Sequence, residues 1–99
     1  MSNDDSWNIP VPAFKPDEVL VQVKRALRDL KLAERGNAYE LKGKRVVELS
    51  VDGGAIAVKI ARRLMLTPEW DRMVVDSSAA QRKLIDEVKK RLARWETEE

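Results

Sequence analysis

The sequence predicts an α+β fold: a two-layer α-β-β-β-(β)-α sandwich, with an antiparallel meander sheet and the N- and C-terminal helices packed on one face. Three observations carry this. Apolar residues recur at three- and four-residue steps near both ends of the chain. Between them, residues 45 to 60 read RVVELSVDGGAIAVKI, two runs of alternating apolar side chains separated by Asp52-Gly53-Gly54. Finally, 99 residues accommodate one core and leave no room for a second.

The chain opens with an N-terminal arm, residues 1–15, expected to be extended or partly disordered. It carries Pro10 and Pro12, with Pro16 just beyond, and shows no sustained periodicity. Trp7, Ile9, Val11 and Phe14 make it more apolar than an ordinary tail, so part of it is expected to pack on the domain. The single α+β domain is placed at 16–96, and an acidic tail at 97–99.

Pro16 suits the first position of a helix, and Asp17 and Glu18 put negative charge at the positive end of its dipole. Val19, Leu20, Val23, Ala26, Leu27 and Leu30 share one face. With Gly36 and Asn37 as the stop, the first helix is expected over 16–35. Residues 37–42 read as a short strand with Tyr39 and Leu41 on one side. Keeping those two beside Val47 and Leu49 calls for a three-residue connection, Lys42-Gly43-Lys44, with Gly43 at a bulge.

The Asp-Gly-Gly segment raises a choice between a hairpin turn and a phosphate-cradling loop. A phosphate loop needs a helix after its glycines, whereas the residues after Gly54 are AIAVKI, alternating and partly β-branched. The turn is therefore preferred. A two-residue turn at either Asp52-Gly53 or Gly53-Gly54 keeps the apolar faces together: the first sets Leu49 opposite Ile56, the second Val51 opposite Ile56 and Glu48 opposite Lys59. A three-residue loop would turn one strand inside out.

Thr67-Pro68-Glu69-Trp70 has the order of a cap, a first-turn proline and an acid, so a single helical turn is expected there. Met73-Val74-Val75 comes next as a short fourth strand. Ser78, with Gln81 three residues on, has the pattern of a capping box and starts the last helix. Leu84, Ile85, Val88, Leu92 and Trp95 form its buried stripe, and Asp86 with Lys90 and Glu87 with Arg91 are placed for i,i+4 ion pairs.

Composition excludes several chemistries. With neither cysteine nor histidine, the chain has no disulfide, thiolate nucleophile, zinc-thiolate site or imidazole base. No cofactor or metal is assigned. Asp52 and Asp76 are carboxylates near turns, where a turn-forming or capping role is the ordinary one, so no catalytic residue is assigned either. The longest apolar stretches fall far short of the ~20 residues that cross a bilayer. No membrane association is expected, and a cytoplasmic location is the default.

The formal charge of +2 conceals an asymmetry. Leaving out 1–15 and 96–99 removes one of the 19 bases and five of the 17 acids, and the remainder stands at +6. Two groups of cations are thus candidate anion- or partner-binding residues. Lys24, Arg28, Lys31 and Arg35 are spaced by four, three and four residues, which aligns them along one helix face. Lys42, Lys44, Arg45, Arg62 and Arg63 are expected at the sheet end opposite Gly53.

The α-β-β-β-α order resembles double-stranded-RNA-binding domains in topology alone. The lysine-rich motif that opens the second helix of that family reads SSAAQRKL here, and residues 63–76 are an added segment. The outer sheet face, with Glu48, Ser50, Ala55, Ala57, Lys59 and Ala61, is a candidate for dimerisation or docking. The leading expectation is a small non-catalytic protein-interaction module whose partner is an unknown protein or a second copy of itself. A nucleic-acid-binding domain using the two basic groups is the alternative.

Overall fold

A computed structural model describes residues 14–97. The elements run in the order α1 (Pro16–Asp29), β1 (Ala33–Arg35), β2 (Ala38–Leu41), β3 (Lys44–Asp52), β4 (Ala55–Ala61), β5 (Trp70–Val75) and α2 (Ser78–Trp95). All five strands join in one antiparallel meander, β1-β2-β3-β4-β5, and both helices pack against it. The arm assigned to 1–15 lies outside the described residues except for Phe14 and Lys15. The acidic tail does so except for Thr97.

Pro16 opens α1, and Val23 and Leu27 are fully buried beneath it. The helix ends six residues earlier than expected. Lys31 takes φ +71 and donates its N–H to Arg28 O, while Leu32 N–H reaches back to Leu27 O. These two bonds make a Schellman closure, in which buried Leu32 packs near Leu27. A non-glycine residue in the left-handed region costs about 1 kcal/mol or more, a cost that burial of Leu32 offsets. Released from the helix, Ala33–Arg35 forms the unexpected strand β1. Gly36 and Asn37, expected to stop the helix, instead turn the β1–β2 hairpin.

The connection between β2 and β3 also differs from expectation. Leu41 pairs with Lys44, so only Lys42 and Gly43 are looped, both with positive φ, as a type I′ turn requires. The extra residue needed to keep Tyr39 opposite Val47 comes from a bulge within the strand pair: Tyr39 faces Val47, while the next residue, Glu40, faces Arg45. Val46 is the inserted residue, and both it and Val47 are buried.

In the β3–β4 hairpin, Val51 pairs with Ile56, Glu48 with Lys59 and Asp52 with Ala55, so Gly53-Gly54 forms the turn. Gly53 takes φ +64 and Gly54 lacks the left-handed φ of a I′ turn, which makes the pattern that of type II′.

Trp70 belongs to β5, opposite Ala61, rather than to a helical turn. The Arg62 N–H bond to Glu69 O carries the β4–β5 ladder one pair beyond the strands, and that pairing holds the segment extended. α2 is capped one residue earlier than expected: Ser77, not Ser78, accepts the Ala80 N–H at 3.1 Å. Leu84, Val88 and Trp95 are buried, while Ile85 and Leu92 are half-buried against the same core. The inner sheet face supplies Tyr39, Val47, Leu49, Ile56, Val58, Ile60 and Val75.

Candidate functional site

The cations singled out by sequence do not form one surface. Lys24 and Arg28 lie on α1, but Lys31 falls beyond its end and Arg35 on β1, so the four-residue stripe is interrupted by the chain reversal. That reversal also brings in an acid. Glu34 lies 3.1 Å from Arg28 Nη1 and 4.0 Å from Lys24 Nζ, and it accepts the Tyr39 hydroxyl at 3.1 Å. The Arg28 and Tyr39 hydrogen bonds hold the Glu34 carboxyl below its ordinary range. Burial, with Glu34 alongside, pushes the Tyr39 phenol up to about 12. Arg35 sits 3.6 Å from Glu40.

The five cations of the sheet end separate in the same way. Lys42 Nζ donates to Glu96 O at 3.1 Å, which ties the β2–β3 turn to the end of α2. Lys44 and Arg45 line an outer cleft of about 320 Å³ opposite Thr67, Pro68 and Trp70, where Arg45 meets Glu48 at 3.3 Å. Arg62 and Arg63 border a different cavity, about 520 Å³, between the 62–69 loop, β5 and α2.

That second cavity contains a network which the sequence signalled only through one i,i+4 pair. Arg91, 15% exposed, donates to Glu87 at 2.6 Å, to Asp71 at 2.9 Å and to the Ala61 carbonyl at 3.3 Å. Arg62 Nε meets the other Asp71 oxygen at 2.8 Å, and Arg94 donates to the Arg62 carbonyl. Asp71 is pulled below the usual carboxylate range by Arg62 first and Arg91 second; Glu87 is lowered by Arg91. The arrangement fastens the end of β4 and the adjoining loop to α2. Its guanidinium groups are committed to internal carboxylates and carbonyls.

The outer sheet face is the other candidate. Register places Glu48, Ser50, Ala57, Lys59, Arg72 and Val74 on it, around a groove of about 440 Å³. Its rim is charged and its floor small and apolar. Val74 is 60% exposed. Ala61, assigned to this open face by alternation, is instead fully buried: Trp70 stands opposite it on β5, and residues 66–68 line a cleft with Lys44, Arg45 and Glu48 at that end. The open part of the face is therefore its middle and its β5 side.

Two residues central to this surface, Arg72 and Val74, were not singled out by sequence. Their signal is positional: they become notable only once β5 is known to be a terminal strand. Among the described residues, no group of acids is placed to hold a metal ion, and no helix is long and apolar enough to cross a membrane. No protein-family model matches the chain, and no curated protein or solved structure gives a match.

Proposed function

We propose that this chain is a small, non-catalytic protein-interaction module that docks its partner on the open sheet face and the adjoining side of β5. The observation that carries the proposal is the exposure of Val74 beside the Ala57-floored groove, on a sheet whose two helices both occupy the opposite face. A shallow apolar floor with a charged rim is the usual anatomy of a docking patch. The cysteine-free composition is compatible with a cytoplasmic setting.

Nucleic acid ranks second. Binding phosphate requires cations free to replace counterions. Of the nine candidates, Lys24, Arg28, Arg35, Arg45 and Arg62 each face an acid within 4.0 Å.

The test is retention of partners from native lysate on immobilised wild type and on Ala57→Lys, each with and without nuclease. Proteins retained by the wild type after nuclease treatment and lost from Ala57→Lys support the module. Retention that disappears with nuclease puts nucleic acid first, and equal retention by both baits removes the sheet face from the site.

A further inference from the structure

The phase of the β4–β5 ladder reveals which backbone groups of β5 have no strand partner among the described residues. Arg62 N–H bonds the carbonyl of its opposite residue, Glu69, so 62 and 69 occupy a hydrogen-bonded position. By alternation the pairs 60/71, 58/73 and 56/75 also exchange bonds across the ladder. The N–H and C=O groups of Trp70, Arg72 and Val74 consequently turn toward the open edge.

The two edges of this sheet are managed differently. β1 is three residues long and exposed throughout, too short to template another strand. β5 runs for six residues in unbroken register with β4, without proline, glycine or lysine. Its charges are Asp71, whose carboxylate is held by Arg62 and Arg91, and Arg72, so any added strand must find a partner for Arg72.

The side chains choose among the ways in which a second copy could add. A two-fold antiparallel pairing must match outward residues with outward residues. Centred on Arg72, it would set two guanidinium groups opposite each other. Centred on Met73, it would match Arg72 with Val74 and leave the charges unpaired. Centred on Val74, it sets Val74 against its own copy and Arg72 opposite the partner's Asp76, twice by symmetry. Arg72, Val74 and Asp76 are all exposed, and the sequence from 72 to 76, Arg-Met-Val-Val-Asp, is complementary to itself in this one register. Ser78 and Ala79, the exposed residues opening α2 just beyond, are small enough to leave room beside the axis.

We propose that a second copy of this chain pairs antiparallel with β5 about an axis at Val74, joining two five-stranded sheets through Arg72–Asp76 cross-strand ion pairs. The proposal rests on the module reading and deepens it by naming the partner. It requires β5 to extend by one residue, to Asp76. The outer-face grooves of the two copies then meet at Arg72 and Val74.

Light scattering on the purified full chain over a concentration series tests it. The mass is expected to double as concentration rises. Arg72→Asp and Asp76→Arg should each move the transition at least about tenfold upward, because two attractive pairs become repulsive. The Arg72→Asp/Asp76→Arg double variant should restore it toward wild type. Since Asp76 lies beside the start of α2, Val74→Pro provides an independent probe: it removes an outward N–H that β4 does not use, and should leave a folded monomer. A wild type that is monomeric throughout overturns the pairing, as does a dimer that is indifferent to Arg72→Asp and Val74→Pro. Neither result touches the module reading, whose sheet-face site falls on its own test if Ala57→Lys retains the same lysate proteins as wild type.

Discussion

Leu49→Ala probes the core on which every surface assignment depends. Leu49 lies at the middle of β3, 3% exposed, opposite Val58, with its N–H bonded to Asn37 O at 2.9 Å. Shortening it to alanine removes three carbons, which at about 0.8 kcal/mol for each buried methylene forfeits about 2.4 kcal/mol of transfer free energy. Pairing on both sides of β3 limits collapse into the space left behind. A residual cavity of ~50 Å³ would add ~1.2 kcal/mol, for a total loss of about 3.5 kcal/mol. Urea denaturation monitored by circular dichroism should show a lower midpoint with an unchanged slope, and the melting temperature should fall by about 15 °C or more. The neighbouring Ser50→Ala, on the exposed face, should stay within about 0.5 kcal/mol of wild type. A loss below about 1 kcal/mol for Leu49→Ala, or equal losses for the two variants, would refute the assignment of faces.

Particular contacts set three further outcomes. Tyr39 is the single tyrosine, so ultraviolet titration of the phenolate reports on it alone, with a midpoint expected at about 12 rather than 10.0. Because this folded-state value is raised, the associated stability is complete below pH 10 and is lost as pH climbs from there to about 12. Glu34 has the opposite sign: its lowered value contributes stability above 4.5 that is lost on acidification, and Glu34→Gln should both flatten that acid limb and lower the Tyr39 midpoint. Arg91→Ala, which strips ties from Asp71, Glu87 and the end of β4, should lower the melting temperature more than Arg45→Ala, whose one ion pair is exposed; equal effects would contradict the network. Lys31→Gly should raise stability by up to about 1 kcal/mol in the same urea experiment, by relieving a left-handed backbone, and a clear loss would contradict the helix closure.

The β3–β4 hairpin was legible because alternation constrains register strongly: shifting Ile56 by one position would turn Ile56, Val58 and Ile60 out of the core, whereas the β1–β2 hairpin was not foreseen and the β2–β3 turn is one residue shorter than expected. The end of α1 was not legible, since Lys31 carries no sign of its left-handed backbone and Gly36 offers a false stop a few residues later. The bulge did leave a trace. Val46 and Val47 are adjacent apolar residues in an otherwise alternating strand, and they mark the position where one residue is inserted. Ser77 and Ser78 are chemically equivalent as caps, so only geometry separates them. For the candidate surface, cation positions could be read but their partners could not. Glu34 reaches Arg28 only because the chain turns back, and Arg91 meets Asp71 across twenty residues of sequence. The self-complementarity of 72–76 acquires meaning only from the placement of β5 at the edge of the sheet.

Amide hydrogen exchange along β5, measured residue by residue at low and high protein concentration, bears most directly on the docking face. At low concentration Asp71, Met73 and Val75 should be protected by β4, while Arg72 and Val74 exchange freely. At high concentration Arg72, Val74 and Asp76 should gain protection and Trp70, beyond the paired register, should not. Arg72 and Val74 amides that exchange equally fast at both concentrations would contradict the pairing of a second copy along this edge.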